Sequence, residues 1–284
     1  MREFDLLEKA SHKRVLFVGE TIEDVYHYVR PLGRPLKESI VSVELMSSET
    51  FEGGVLAAKR HAEQFCMHVD CYSEGPVIRK ERFVEASHIR KLFECYVNGR
   101  HSELEPPYLK QYDCVIVTDY GHGMMTERRI EEICFESRYL AVNVQTNSGN
   151  YGFNLATKYP GADYLCVDEP EARLATQNRS GPIEDSAKRL GEIAPKVVIT
   201  MGKEGALGYY HDEIWRAPAF TDKIVDTLGA GDAFFAVTAP IAEEADMESL
   251  LRIGNAAGAL KAGIVGHRKS ITKAELVELL ARSG

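Results

Sequence analysis

The chain has 284 residues, 44% of them hydrophobic and 27% charged, long enough to bury a sizeable core as one large unit or two unequal ones. Its formal net charge of -9 repels phosphate backbones and anionic membranes, so nucleic acid or lipid would need a local basic run, and none is present. No apolar stretch approaches the ~20 residues of a membrane span, and the opening MREFDLLEKASHKR lacks a secretory leader's pattern, so a soluble, cytoplasmic protein without a membrane partner is expected.

The first predicted element is a buried strand, RVLFVG, ending at Gly19. Two segments that follow, DVYHYVR (24–30) and SIVSVEL (39–45), alternate apolar and polar residues, as strands exposed on one face do. A helical pattern covers 54–65. Alternation then returns in RFVEAS (82–87) and KLFECYV (91–97), so these four segments predict a small separate sheet. Strands of this kind, rich in Tyr, Val and Phe, are expected to cover an active site or to pair two copies of the chain into a homodimer.

Beyond them come short apolar runs with helical patterns in most of the gaps. CVIVTD ends at Asp119, YLAVNV at Val144, ADYLCVD at Asp168 and KVVIT at Thr200, while helices are predicted over 126–136, 170–176 and 183–193. From Val225 onward the chain reads as helix upon helix, over 231–242, 247–261 and 272–281. Strands alternating with helices predict an α/β fold with a mainly parallel sheet covered on both faces. In such sheets ligands bind beyond the carboxyl ends of the strands. The whole, residues 1–284, is expected to be one domain with lid strands inserted at about 22–47 and 79–98. Its six cysteines show no C-x-x-C spacing and read as reduced core thiols.

The segment that carries most chemistry is VDTLGAGDAFFA, 225–236. A loop of small residues, Gly229, Ala230 and Gly231, opens straight into an apolar helix, so its N–H groups lack helical acceptors and can point at an anion. Asp232 falls in the first helical turn, where the dipole favours its ionised form and lets it serve as a base beside a phosphate. Positioned donors next to a proton acceptor are what phosphoryl transfer requires.

This segment resembles the D-T-x-G-A-G-D signature of the PfkB family of carbohydrate kinases, matched from Asp226 through Thr227 to Asp232. The resemblance implies a ribokinase-like three-layer α/β/α sandwich with a small β-sheet lid. It also implies ATP and Mg2+ as cofactors, Asp232 as the base, and the 229–231 amides as the anion hole. ITMGKEGA, 199–206, looks like the family's T-x-G-x-x-G turn, placing Thr200, Gly202 and Gly205 at the nucleotide; Asn255, followed by Ala256, Ala257 and Gly258, resembles the helix beside the adenine. VDEPEARLA, 167–175, stands where the family has N-x-x-E, so Glu171 matches a magnesium-organising glutamate and Asp168 replaces the asparagine. A potassium ion near Asp226 and the carbonyls around Gly266 is a further trait the family implies.

VTDYGHGMMT, 117–126, is similar to the S-D-Y-G-K-G segment of heptose 7-phosphate kinases, with His122 where Lys is common and Asp119 at the strand end. Related kinases stand beside a cytidylyltransferase-type domain, but no H-x-G-H motif occurs here, so the chain is expected to be at most the kinase half with a nucleotidyltransferase as a separate partner. The sugar-binding pattern departs from the family. Glu20 and Asp24 stand for its paired acids, and Gly53-Gly54 is followed by Val55 to Ala58 without the sugar-binding asparagine. The stretch 68–81 is also short, lacking a helix and a strand. Loss of a hydroxyl-binding amide shifts specificity away from free ribose or hexose. Arg30, Arg34 and Lys37 beside the lid suit a substrate that already carries a phosphate. The competing readings are a nucleotide-binding regulatory protein with a degenerate sugar site, and a dinucleotide oxidoreductase. GETIED after the first strand, in place of G-x-G-x-x-G, argues against the latter.

Overall fold

The computed structural model describes residues 2–33, 35, 37–73, 78–99, 105–220 and 224–282. Arg34, one of the basic residues assigned to the lid, lies outside them.

Nearly continuous apolar runs make the inner strands of the central sheet, because a strand covered on both faces has no polar side to show, while the two edge strands are polar or exposed at several positions. The sheet comprises β1 (Arg14–Gly19), β4 (His68–Tyr72), β7 (Cys114–Asp119), β8 (Leu140–Val144), β9 (Tyr164–Asp168), β10 (Lys196–Thr200), β11 (Ala206–Tyr210) and β12 (Glu213–Ala217), in the order β12-β11-β10-β9-β8-β7-β1-β4. All pairings are parallel except β10 with β11 and β11 with β12. Alternate side chains divide the core: Val15 and Phe17 join one apolar cluster, Leu16 and Val18 the other.

The first cluster is roofed by α1 (Arg2–Ser11), α2 (Val55–Ala62), α6 (Ala230–Thr238), α7 (Met247–Ala262) and α8 (Lys273–Arg282). The second is covered by α3 (Glu127–Glu136), α4 (Glu169–Thr176) and α5 (Ile183–Gly191). This is the ribokinase-like three-layer α/β/α sandwich. Helix α6 is buried from Asp232 to Thr238, and Phe234 and Phe235 within it each stabilise the fold by roughly 1.5–3 kcal/mol. It stops short of the predicted 242 because Pro240 has no N–H to continue the ladder, and a 3-10 turn takes over at Ala239–Ile241.

The second sheet has the order β3-β2-β5-β6, from β2 (Thr21–Pro31), β3 (Val43–Gly54), β5 (Ile78–Glu85) and β6 (Arg90–Val97). The strand foreseen at 39–45 starts later and runs on to the two glycines at 53 and 54. On β5 the buried positions are Ile78, Lys80, Arg82 and Val84, so two cations occupy the face a simple amphipathic strand reserves for apolar residues. Residues 73–77 alone separate β4 from β5, consistent with the shortness seen in the sequence.

Three elements escape the sequence reading. Helix α1 buries only Leu6, Leu7 and Ala10 from a charged decapeptide. The hairpin β11–β12 turns at His211 and Asp212, both with positive φ (49° and 63°) and neither a glycine. Strand β4 has a single buried residue, Tyr72.

Candidate active site

Two adjoining cavities open at the carboxyl edge of the parallel strands. The larger, about 470 Å³, runs between the 200–205 turn and the small-residue face of α7, bordered by Thr200, Gly202, Gly205, Phe234, Asn255 and Gly258. The smaller, about 300 Å³, holds Asp232, Gln145, Glu171 and Lys91. Asp168, Thr200, Thr227 and Gly231 border both, so the two form one continuous channel. That shape fits a nucleotide whose phosphates lead from the first cavity towards Asp232. Met201 N–H donates to Gly205 O at 2.8 Å, closing the turn. The Asn255 amide donates to Ala217 O (2.9 Å) and Pro218 O (3.2 Å) and so fixes this wall of the cavity.

The α6 mouth departs slightly from expectation. Gly229 caps it with φ 75°, a left-handed conformation that glycine adopts without strain. Ala230 N–H donates to Thr227 O at 3.3 Å and so closes a turn. Among the described residues, no acceptor is within reach of the N–H groups of Gly229, Gly231 and Asp232, which leaves these to face an anion. Asp232 itself is buried. Its Oδ1 accepts from Gln145 Nε2 at 2.5 Å and from the Tyr120 hydroxyl at 3.2 Å, two donors that fix the carboxylate. Burial, and then the Asp232 charge, push the Tyr120 hydroxyl far above its ordinary range, so it remains a neutral donor. Tyr120 lies in the VTDYGHGMMT segment, which by itself assigns it no role, and Gln145 does not stand out in the sequence. Gln145 directly follows β8, and position just past a strand's carboxyl end is the signal that could have found it.

Asp168 is the N-cap of α4 and accepts from Glu171 N–H at 2.8 Å, while Glu171 accepts in return from Asp168 N–H (2.8 Å) and from Thr146 N–H (3.0 Å). Burial, followed by the charge of Asp168, pushes the Glu171 carboxyl up to about 8. An oxygen-only pair short of positive charge, bordering the channel, fits magnesium carried on nucleotide phosphates. The groups expected to hold potassium do not fit it. Asp226 is already satisfied by Tyr26 OH (3.0 Å), Lys91 Nζ (3.1 Å) and the N–H groups of Leu228 (3.1 Å) and Gly266 (2.9 Å). The Gly266 carbonyl accepts from Lys261 Nζ at 2.7 Å.

Several residues assigned to the substrate serve the scaffold. Glu20 is wholly buried and accepts from the N–H groups of Tyr120 (3.0 Å), His122 (3.1 Å) and Met124 (3.4 Å), clamping the turn after β7. Burial, then the charge of Asp119, raises its pKa. Asp119 is also fully buried, bonded to Tyr159 OH (2.7 Å) and Lys158 Nζ (2.6 Å). Asp24 pairs with Arg82 and lies 3.4 Å from His267 Nε2. A Cβ on Gly53 would come within 2.3 Å of Asp24, and one on Gly54 as close to the Glu20 carbonyl, so both glycines serve close packing. Lys37 is exposed and borders neither cavity, and Arg30 pairs with Glu44 on the surface. His122 stands between core and lid, its ring 6.3 Å from that of Tyr96.

Lys91, on β6, lines the smaller cavity, whereas Lys80, on β5, is buried and borders neither. Lys80 Nζ lies 5.3 Å from the Tyr96 ring centre and 5.9 Å from that of Tyr120, and among the described residues no carboxylate is within 4.0 Å of it. Burial lowers its pKa.

A mainly parallel sheet between two helix layers, a channel ending at donor amides and an ionisable acid held beside them define a phosphoryl-transfer enzyme. Residues 126–274 match the pfkB family carbohydrate kinase family, and the chain belongs to it. Among its relatives is the Bifunctional protein HldE of Nitrobacter hamburgensis, 32% identical over 179 residues that make up 60% of this chain and 35% of that one. Another, from Rhodopseudomonas palustris strain BisB18, is 30% identical over 228 residues, 72% of this chain and 45% of that one. The chain thus spans less than half the length of these relatives. Solved structures with the same fold include a ribokinase from Thermotoga maritima (TM-score 0.74, 17% identity, covering 95% of this chain and 99% of that one). Escherichia coli Phosphofructokinase-2, solved in complex with potassium, gives a TM-score of 0.71 at 12% identity, covering 95% and 99%.

Proposed function

We propose that this chain transfers the γ-phosphoryl group of ATP to a hydroxyl of a sugar that already carries a phosphate, a heptose phosphate being the class the resemblance points to. The observation that carries this reading is the continuous channel ending at Asp232. In the reaction Asp232 takes the hydroxyl proton while the acceptor oxygen forms its bond to the γ-phosphorus and the bond to the β-phosphate oxygen breaks. Tyr120 and Gln145 hold the base in line. The free N–H groups at the mouth of α6 receive charge on the equatorial oxygens. Asp168 and Glu171 would organise magnesium, which supplies neutralisation of the phosphates when bound.

Lys80, buried beside the Tyr120 that holds Asp232 and with no carboxylate within 4.0 Å among the described residues, supports an anionic acceptor, since a desolvated cation so placed favours a phosphate. Leu45, Met46, Phe93 and Val97, all exposed on the outer strands of the small sheet, support a homodimer formed through the lid. Among the described residues no helix is long and apolar enough to cross a membrane, which is consistent with a cytoplasmic place. The relatives called bifunctional, of which this chain spans less than half, together with the resemblance to heptose 7-phosphate kinases, support a role beside a separate nucleotidyltransferase in making surface-polysaccharide precursors.

The test compares matched pairs of acceptors, heptoses and hexoses with and without a terminal phosphate, by ADP release. The phosphorylated member should be preferred by at least about 100-fold in kcat/KM, and Lys80→Met should raise its KM by about tenfold or more, in line with loss of a charged hydrogen bond of about 1.5–3 kcal/mol. Equal use of the free sugars, or no transfer to any acceptor, would remove the reading.

A further inference from the structure

Lys261 lies in the last turn of α7 and is fully buried, which for a lysine demands a specific return. Its Nζ donates to the carbonyl of Leu228 at 2.6 Å and to that of Gly266 at 2.7 Å. The N–H groups of the same two residues point the other way, to Asp226, at 3.1 and 2.9 Å. Two residues from separate loops are therefore held through their N–H groups by a carboxylate and through their carbonyls by an ammonium. Converging carbonyl oxygens repel one another unless a cation sits between them. Leu228 immediately precedes the donor amides at the α6 mouth, and a Cβ on Gly229 would lie 3.2 Å from Lys261 Cε. The charge accordingly stands directly behind the position where phosphoryl oxygens collect.

We infer that Lys261 is a tethered monovalent cation: its ammonium orders the 226–229 loop and backs the anion hole, so that the enzyme needs no added alkali metal ion. The inference rests on the reading of 229–232 as the phosphoryl site. Lysine acts here as a positioning residue, through the Leu228 carbonyl. An ion-free design removes any dependence on cation concentration, and the ordering is complete once the chain has folded.

Thermal unfolding and initial rates of phosphoryl transfer are measured in potassium chloride and in tetramethylammonium chloride at equal ionic strength, for the wild type and Lys261→Met. The wild type should show rates within about twofold in the two salts and no potassium-specific change in Tm. The variant should lose on the order of 100-fold in kcat in tetramethylammonium, as removal of an oxyanion-site donor does. Potassium, ammonium or methylammonium should restore part of that rate and raise the variant's Tm, because each can occupy the vacated carbonyl cage. A wild type activated more than tenfold by potassium overturns the inference, as does a folded variant whose rate and Tm no cation restores. Should the variant not fold, the wild-type comparison decides. Unfolding requires no acceptor, so the Tm arm stands apart from a failure to find the sugar substrate.

Discussion

Replacing Asp232 by Asn removes the proposed base while leaving its surroundings nearly intact. Oδ1 keeps both of its donors, Gln145 at 2.5 Å and Tyr120 at 3.2 Å, and the amide fills the volume of the carboxylate. No buried donor loses its acceptor, so Tm should move by only a degree or two. Nucleotide affinity should hold or rise, because Asp232 borders only the smaller cavity and its negative charge next to the γ-phosphate disappears. The turnover number alone should fall, by about 10²- to 10⁴-fold, the range for a positioned general base, or roughly 3–5 kcal/mol of barrier. Coupled ADP release gives kcat and KM, and calorimetric titration gives the ATP dissociation constant. A variant that turns over within tenfold of the wild type would refute the role, and one that loses ATP affinity in parallel would show the acid to be structural.

Tyr120→Phe should cut kcat by about tenfold with little change in KM for ATP, since one donor of ~1–2 kcal/mol is lost from the base; steady-state kinetics checks this. Gln145→Ala should cost more, because it removes the 2.5 Å donor and opens space beside Asp232. Glu171, raised to about 8 in the fold against an ordinary 4.5, binds a proton more readily folded than unfolded. The metal-free protein should then lose stability as pH rises from about 4.5 through 8, and Glu171→Gln should raise Tm at pH 8 more than at pH 5 by scanning fluorimetry. A variant with the same Tm gain at both pH values would contradict this. Lys196→Met leaves the carbonyls of Ala242 and Ala245 without their buried donor and should cost about 1–3 kcal/mol in denaturant unfolding.

The parallel strands were legible because burial on both faces writes itself as an apolar run, and CVIVTD and KVVIT lie where β7 and β10 form. The α6 mouth was legible because its donors belong to consecutive residues. What stayed hidden depends on contacts across the chain. Lys261 meets Leu228 over a separation of 33 residues and Arg82 meets Asp24 over 58, distances at which spacing carries no information. The internal bonds of Glu20 and Asp119 stayed hidden for a related reason: an acid at a strand end reads alike whether it faces a cavity or its own backbone. The charged positions of β5 did carry a local signal, since Lys80 and Arg82 fall in phase with Ile78 and Val84 on the inward face.

Tyr26 on β2 and Lys91 on β6 both end on Asp226, six residues before the base. A small sheet that swung outward would strip that carboxylate of two of its donors and slacken the loop leading into α6. The order of the anion-binding loop is thereby coupled to the position of the small sheet, through two side chains that belong to different strands of it.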